Sequence, residues 1–214
     1  SSMLADDFKP NRLEAVKKTA IDFVGSRKSD RIGLIVFAGE SFIQCPLTVD
    51  KSVLKSLINE ISIVSKDYDG TAIGMAIANA TNRLRKSKVK SKVMVLLSDG
   101  SNNSGQIDPK SAAEIASQYD IKIYTIGAGT NQDVSFIPGR GYIRNEIDEE
   151  TLKLIAEKTN GKYFRATDME GLEQIYQTID QLEKTEVKIS QFTSHKDLFG
   201  FLLISAVLLS LIHI

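Results

Sequence analysis

Three positions offer hard oxygen donors in loop settings. Ser2 lies just before the first helical stretch, Thr71 follows Asp67-Tyr-Asp-Gly70, and Asp99 ends an apolar run. A strand-end carboxylate with two hydroxyls from neighbouring loops can hold Mg²⁺ octahedrally. Such a site keeps waters and one open position for an outside acidic group. Each residue also has a plainer reading. Asp99-Gly100 is common turn chemistry after a strand, Thr71 can cap the helix that follows it, and Ser2 sits at the edge of the chain. Asp69 reads as an exposed loop carboxylate or a contact to a metal-bound water, and Asn102 and Asn103 as rim residues or turn formers.

Composition narrows the chemistry further. The 214 residues carry 27 Lys+Arg against 27 Asp+Glu, which excludes an acidic disordered chain and weakens a general nucleic-acid reading. One cysteine and two histidines, both near the C-terminus, exclude a disulfide framework, a multi-Cys zinc site and a His-rich cage, so a metal in the globular part must be held by oxygen. No Ser, Cys or Lys is paired with a visible base, and no acidic pair has a catalytic spacing, so the reading is a binding protein and not an enzyme. Gly127-Ala-Gly129 is a weak dinucleotide signal, because position 132 is Gln132 and no helix follows at once. The cations Arg83, Arg85, Lys86, Lys88, Lys90 and Lys92 could attract nucleic acid or anionic lipid; a solvated helix end is the plainer reading. Cys45 reads as a small buried hydrophobe, and His195 and His213 take no role.

The elements that must position these residues follow from periodicity. Helices are expected over residues 10–28, 50–61, 71–86, 108–119, 149–159 and 168–184, with Asp50 as an N-cap and Pro109 at a first helical position. Arg31 to Gly39 predicts a strand buried on both faces, Ser41 to Leu47 its edge partner with Pro46 in it, and Lys92–Leu97 and Ile121–Ile126 buried parallel strands. Ile137 to Tyr142 predicts a hairpin, and Lys162 to Ala166 a short strand. The alternation implies a doubly wound, mainly parallel α/β sheet covered by helices on both faces, with its ligand site beyond the strands' carboxyl ends. Such a sheet opens with a strand and this sequence opens with a loop and a helix, so the first, central strand is expected to be missing.

The two ends carry their own expectations. Ser1-Ser2-Met3-Leu4 has no initiator Met and reads as a cut or processed start. The 17 residues from Leu198 to Ile214 contain no Lys, Arg, Asp or Glu. As a helix they would span about 26 Å, just under a bilayer core. The expected organisation is a domain over 1–184, a polar linker over 185–196 and a truncated transmembrane helix over 197–214.

Val93-Met-Val-Leu-Leu-Ser-Asp-Gly100, Asp69-Gly-Thr71-Ala-Ile-Gly74 and Ile123-Tyr-Thr-Ile-Gly-Ala-Gly129 together resemble a von Willebrand factor A (VWA) domain over residues 1 to about 184. Asp30-Arg-Ile-Gly-Leu-Ile-Val-Phe-Ala-Gly39, Gln44-Cys-Pro-Leu-Thr48 and the apolar C-terminal stretch are similar to the bacterial membrane-bound Bat (aerotolerance-operon) proteins. The resemblance implies a metal-ion-dependent adhesion site (MIDAS) built from Asp-x-Ser-x-Ser, a later Thr and a later Asp. On that register Ser2 matches the last Ser, and Thr71 and Asp99 the other two elements. The motif's Asp and first Ser have no counterpart here, so three of five positions remain and Mg²⁺ (or Mn²⁺) binding is expected to be weak or absent in this chain. The resemblance further implies a protein partner offering an acidic side chain, sister Bat proteins and a MoxR-type AAA+ ATPase as partners, lipid contact through the C-terminal helix at the bacterial inner membrane, and no nucleic acid. The rivals are a metal-independent scaffold of the same fold and, less favoured, a phosphotransfer or nucleotide-using enzyme with Asp99 as its acid. Without the central strand, residues 1–184 alone are expected to be poorly soluble.

Overall fold

A computed structural model describes residues 2–27, 29–63, 69–87, 89, 91–130, 134–137, 141–144 and 147–191, with side chains of 135, 142–144 and 185–191 outside that description. A 3-10 turn over Ser2–Leu4 leads to α1, Arg12–Ser26. Then come β1 (Ile32–Phe37), β2 (Ser41–Thr48), α2 (Lys51–Asn59), α3 (Ile73–Leu84) and β3 (Lys92–Ser98). The order continues with α4 (Pro109–Gln118), β4 (Ile121–Ala128), β5 (Val134–Ile137), β6 (Gly141–Arg144), α5 (Glu149–Lys158), β7 (Tyr163–Ala166) and α6 (Met169–Gln191).

β3, β4 and β7 form a parallel sheet in the order β3-β4-β7, as the alternation of strands and helices predicts. Its register pairs Ser98 with Gly127 and Ala128 with Ala166, so Asp99 emerges level with the carboxyl ends of β4 and β7. β1 and β2 make a separate antiparallel pair, and β5 and β6 a hairpin where one was expected. Among the described residues no ladder joins β1 to β3. A burial expectation fails at β1: it is apolar enough to be covered on both faces, yet Gly33 is exposed and the other residues are only half-buried, and among the described residues β2 alone pairs with it.

The main core lies between β3 and β4 and the helices α3, α4 and α5, around Ile73, Ile77, Leu96, Ile123, Leu152 and Ile155. Ala112, Ala113 and Ala116 let α4 approach the sheet closely. A smaller cluster of Val24, Cys45, Leu54 and Ile58 joins α1, β2 and α2, so Cys45 is the buried apolar filler expected of it. Asp50 caps α2 through Ser52 N and Val53 N at 2.9 and 3.1 Å, and Asp108 caps α4 with Pro109 behind it.

Chain contacts divide at Ile179/Asp180, inside α6. The first unit holds everything above. The second is described only through the end of α6, where Lys184 pairs with Asp180 one turn earlier. α6 runs on to Gln191, seven residues past the expected helix end. No helix among the described residues is long and apolar enough to cross a membrane, and the stretch read as a transmembrane helix, 197–214, lies outside them.

Candidate metal centre

The sheet delivers Asp99 to the carboxyl edge, where it is 8% exposed. Burial pushes its carboxyl above the ordinary carboxylate range, and hydrogen bonding from the Ser2 side chain and the nearby Arg12 charge pull it part of the way back. The 3-10 turn at Ser2 is thus placed directly on Asp99. Thr71 reaches the same corner: its Oγ1 lies 3.4 Å from where a Cβ on Gly100 would stand. The structure therefore brings all three sequence-predicted residues to one end of β3.

Thr71 owes its position to its backbone. Its N–H donates to Asn103 Oδ1 at 2.8 Å, and its carbonyl accepts from Asn103 N at 3.1 Å. The next residue, Ala72, donates to Ala38 O at 2.7 Å. Thr71 is not the helix cap. Ala72 holds that position without a side-chain bond, and the cap comes from Asn102, whose Oδ1 accepts from Ile73 N at 2.8 Å and Gly74 N at 3.5 Å. Both asparagines therefore fasten the Thr71 loop to the loop that follows Asp99. Tight backbone contact completes the joint, since a Cβ on Gly74 would stand 1.9 Å from Ile107 O. Asp69 is exposed and accepts from its neighbour Gly70 N at 3.2 Å.

Sequence reasoning missed two charged residues at this site. Arg12, the first residue of α1, has a fully buried side chain. Its Nε and Nη2 donate to Asp7 Oδ1 and Oδ2 at 2.8 and 2.6 Å, and its Nη1 to Asp99 Oδ2 at 3.3 Å. Burial works against the guanidinium's charge, but the Asp7 fork and then Asp99 outweigh it and hold the group above its ordinary value. Asp7 Oδ2 also accepts Thr130 N at 3.2 Å, tying the N-terminal turn to the end of β4. The available signal was Asp7 and Arg12 flanking Pro10: a turn that folds an acid back onto the first residue of a helix.

The donor set is two hydroxyls and one carboxylate, all hard oxygens, which suits Mg²⁺, Mn²⁺ or Ca²⁺ and not a thiophilic ion. Among the described residues no three His, Cys, Asp or Glu side chains cluster closely enough to hold a metal, so any ion here depends on the hydroxyls. By donor chemistry, two hydroxyls and a carboxylate are compatible with a divalent ion that takes its remaining ligands from water or an outside group.

The von Willebrand factor type A domain family matches residues 1–178, and the chain belongs to that family. An uncharacterized protein of Borreliella burgdorferi is 30% identical over 210 residues; the match covers 95% of this chain and 61% of that protein, so the chain spans less than two thirds of its relative. Two solved Bacteroides structures are each 30% identical. An aerotolerance-related membrane protein of B. fragilis, with multiple mutations to serines, covers 84% of this chain and 92% of its own, with a TM-score of 0.73. BatB of B. thetaiotaomicron covers 86% and 94%, with a TM-score of 0.74. Proximal thread matrix protein 1 from the mussel byssus, with a zinc-occupied MIDAS motif, is 22% identical over 81% of this chain and 41% of its own at a TM-score of 0.65, and shows the shared fold alone.

Proposed function

We propose that this chain is the membrane-anchored VWA domain of a Bat-like protein. It binds an acidic side chain of a partner through a MIDAS-type Mg²⁺ or Mn²⁺ site, to which this chain brings three of the five motif positions and therefore a weak hold on the ion. Ser2, Thr71 and Asp99 are the metal-facing residues. The observation that carries this reading is their convergence at one end of β3 from three separate segments, with the Ser2 side chain hydrogen-bonded to the buried Asp99 carboxylate and Thr71 Oγ1 beside Gly100. A bound ion would supply a positive charge with an open coordination position, to which a partner's Glu or Asp adds a strong, directional bond. The chain's own part is to hold the donors still. Asn103 clamps Thr71, Asn102 fixes the helix behind it, and Arg12 orients Asp99.

The membrane anchor is the apolar stretch Leu198 to Ile214, supported by the name of the B. fragilis relative. An assembly with sister Bat proteins and a MoxR-type ATPase, in an aerotolerance role, follows from the resemblance. The domain binds and does not catalyse.

The metal-independent scaffold has one observation in its favour: Arg12 already gives Asp99 a cation. Calorimetric titration of Mn²⁺ into the chain in lipid nanodiscs, with Asp99→Ala alongside, separates the two. Saturable binding that the substitution abolishes supports the metal site. Absence of binding in both proteins leaves the scaffold.

A further inference from the structure

The end of the sheet away from Asp99 carries a different chemistry. Residues 83–92 read Arg-Leu-Arg-Lys-Ser-Lys-Val-Lys-Ser-Lys, six cations in ten residues with no acid, in a chain whose 27 Lys+Arg and 27 Asp+Glu balance only when this segment is counted. A helix C-terminus accounts for little of this. Of the six, Arg83 alone lies in the last turn of α3, and the macrodipole acts only over that turn. Arg83, Arg85 and Lys86 are exposed, and none of them forms a salt bridge to a carboxylate among the described residues.

Apolar side chains stand among these cations. Tyr119, at the end of α4, is 37% exposed; the Arg85 guanidinium lies 5.9 Å from its ring centroid, and Lys92 Nζ donates to its carbonyl at 2.8 Å. Ile115, one helical turn before Tyr119, is 48% exposed, and Val89, between Arg85 and Lys92 in the chain, is 46% exposed. Cations alone would suit any polyanion. Cations interleaved with exposed aliphatic and phenolic groups suit a surface that has anionic headgroups over an apolar interior, where the cations bind phosphate and the apolar groups enter the acyl boundary.

We propose that this face, formed by Arg83, Arg85, Lys86, Val89, Lys92 and Tyr119, docks onto anionic lipid. The orientation it imposes is set by β3. Lys92 opens that strand and Asp99 follows its last residue, so patch and candidate metal centre stand about 23 Å apart along it. Docking turns the Asp99 end away from the bilayer, toward a partner. The proposal stands whether or not the Asp99 site binds metal.

The test uses the full chain in nanodiscs of pure phosphatidylcholine and in nanodiscs rich in phosphatidylglycerol, read by amide hydrogen exchange. Amides 83–87 and 115–119 should exchange on the order of tenfold more slowly in the anionic discs. High salt should erase the difference, and so should the triple substitution Arg83→Glu, Arg85→Glu, Lys86→Glu. These side chains are exposed, so an unchanged thermal melt checks that the variant is folded. Equal exchange in the two lipids overturns the proposal. So does tighter binding of a labelled single-stranded oligonucleotide than of phosphatidylglycerol vesicles, which would assign the face to nucleic acid.

Discussion

Arg12 Nη1 lies 3.3 Å from Asp99 Oδ2, which sets a fully buried guanidinium against the carboxylate that ends β3. The shorter fork to Asp7, at 2.8 and 2.6 Å, shows where Arg12 is anchored; the longer Asp99 contact is the weaker hold. Arg12 therefore steers Asp99 without fully satisfying it.

Loss of Arg12 should cost more than loss of the pair. Arg12→Leu leaves Asp7, 7% exposed at its side chain, without its fork, and a buried ion stripped of its partner typically costs 3–5 kcal/mol. The double substitution Asp7→Leu, Arg12→Leu removes both charges and should recover at least half of that loss. Urea denaturation of the four proteins gives the coupling. A double variant no more stable than Arg12→Leu would show that packing, and not charge, sets the cost.

Asn102→Ala should destabilise the chain by about 1 kcal/mol, as loss of a helix cap does. The effect should be local, because Asn102 Oδ1 serves Ile73 N and Gly74 N. Exchange at those two amides should accelerate more than at Ile77, deeper in α3. Uniform acceleration along the helix would count against the cap.

Gly74 reverses the usual rule for helices. Ala for Gly inside a helix is ordinarily worth about 1 kcal/mol of stability. Here a Cβ would stand 1.9 Å from Ile107 O, and at Gly161 1.8 Å from Ile123 O; both obstacles are backbone. Gly74→Ala and Gly161→Ala should each destabilise by roughly 1–3 kcal/mol, the usual cost of overpacking. Gly74→Ala should also weaken Mn²⁺ binding, since it forces the Thr71 loop away from the loop after Asp99. A Gly74→Ala protein with an unchanged melting temperature would refute the close contact.

Much of this was legible in the sequence. The alternation of strands and helices around β3 and β4 pointed to a parallel sheet, and Asp99 fell at a strand end because the apolar run of β3 stops there. Asp50 and Pro109 marked helix starts by local chemistry that acts within one turn. What escaped was non-local. Nothing about Asn102 in sequence says that it caps a helix starting 29 residues earlier, and Arg12 has the type and spacing of a solvated helix residue. Its burial follows from the meeting of Asp7, Asp99 and the end of β4, three segments that periodicity cannot bring together.

Acid titration should separate two kinds of carboxylate. Hydrogen bonds from the Ser52 hydroxyl and then the Val53 amide hold Asp50 below its ordinary value, and the Ser111 amide does the same for Asp108. A depressed folded-state pKa means stability that is present above the unfolded value and lost as pH falls through the folded one. Asp99 is shifted the other way, chiefly by burial, so its contribution falls as pH rises from the ordinary carboxylate value toward the raised one. Asp50→Asn with Asp108→Asn keeps both caps, because Asn accepts the same bonds, and should flatten the loss below about pH 4. Asp99→Asn should instead remove a decline on the higher-pH side while leaving the acid limb intact. Urea midpoints across about pH 2 to 7 read both limbs. An Asp99→Asn protein that changes only the acid limb would show that Arg12 and Ser2, and not burial, decide the charge at the end of β3.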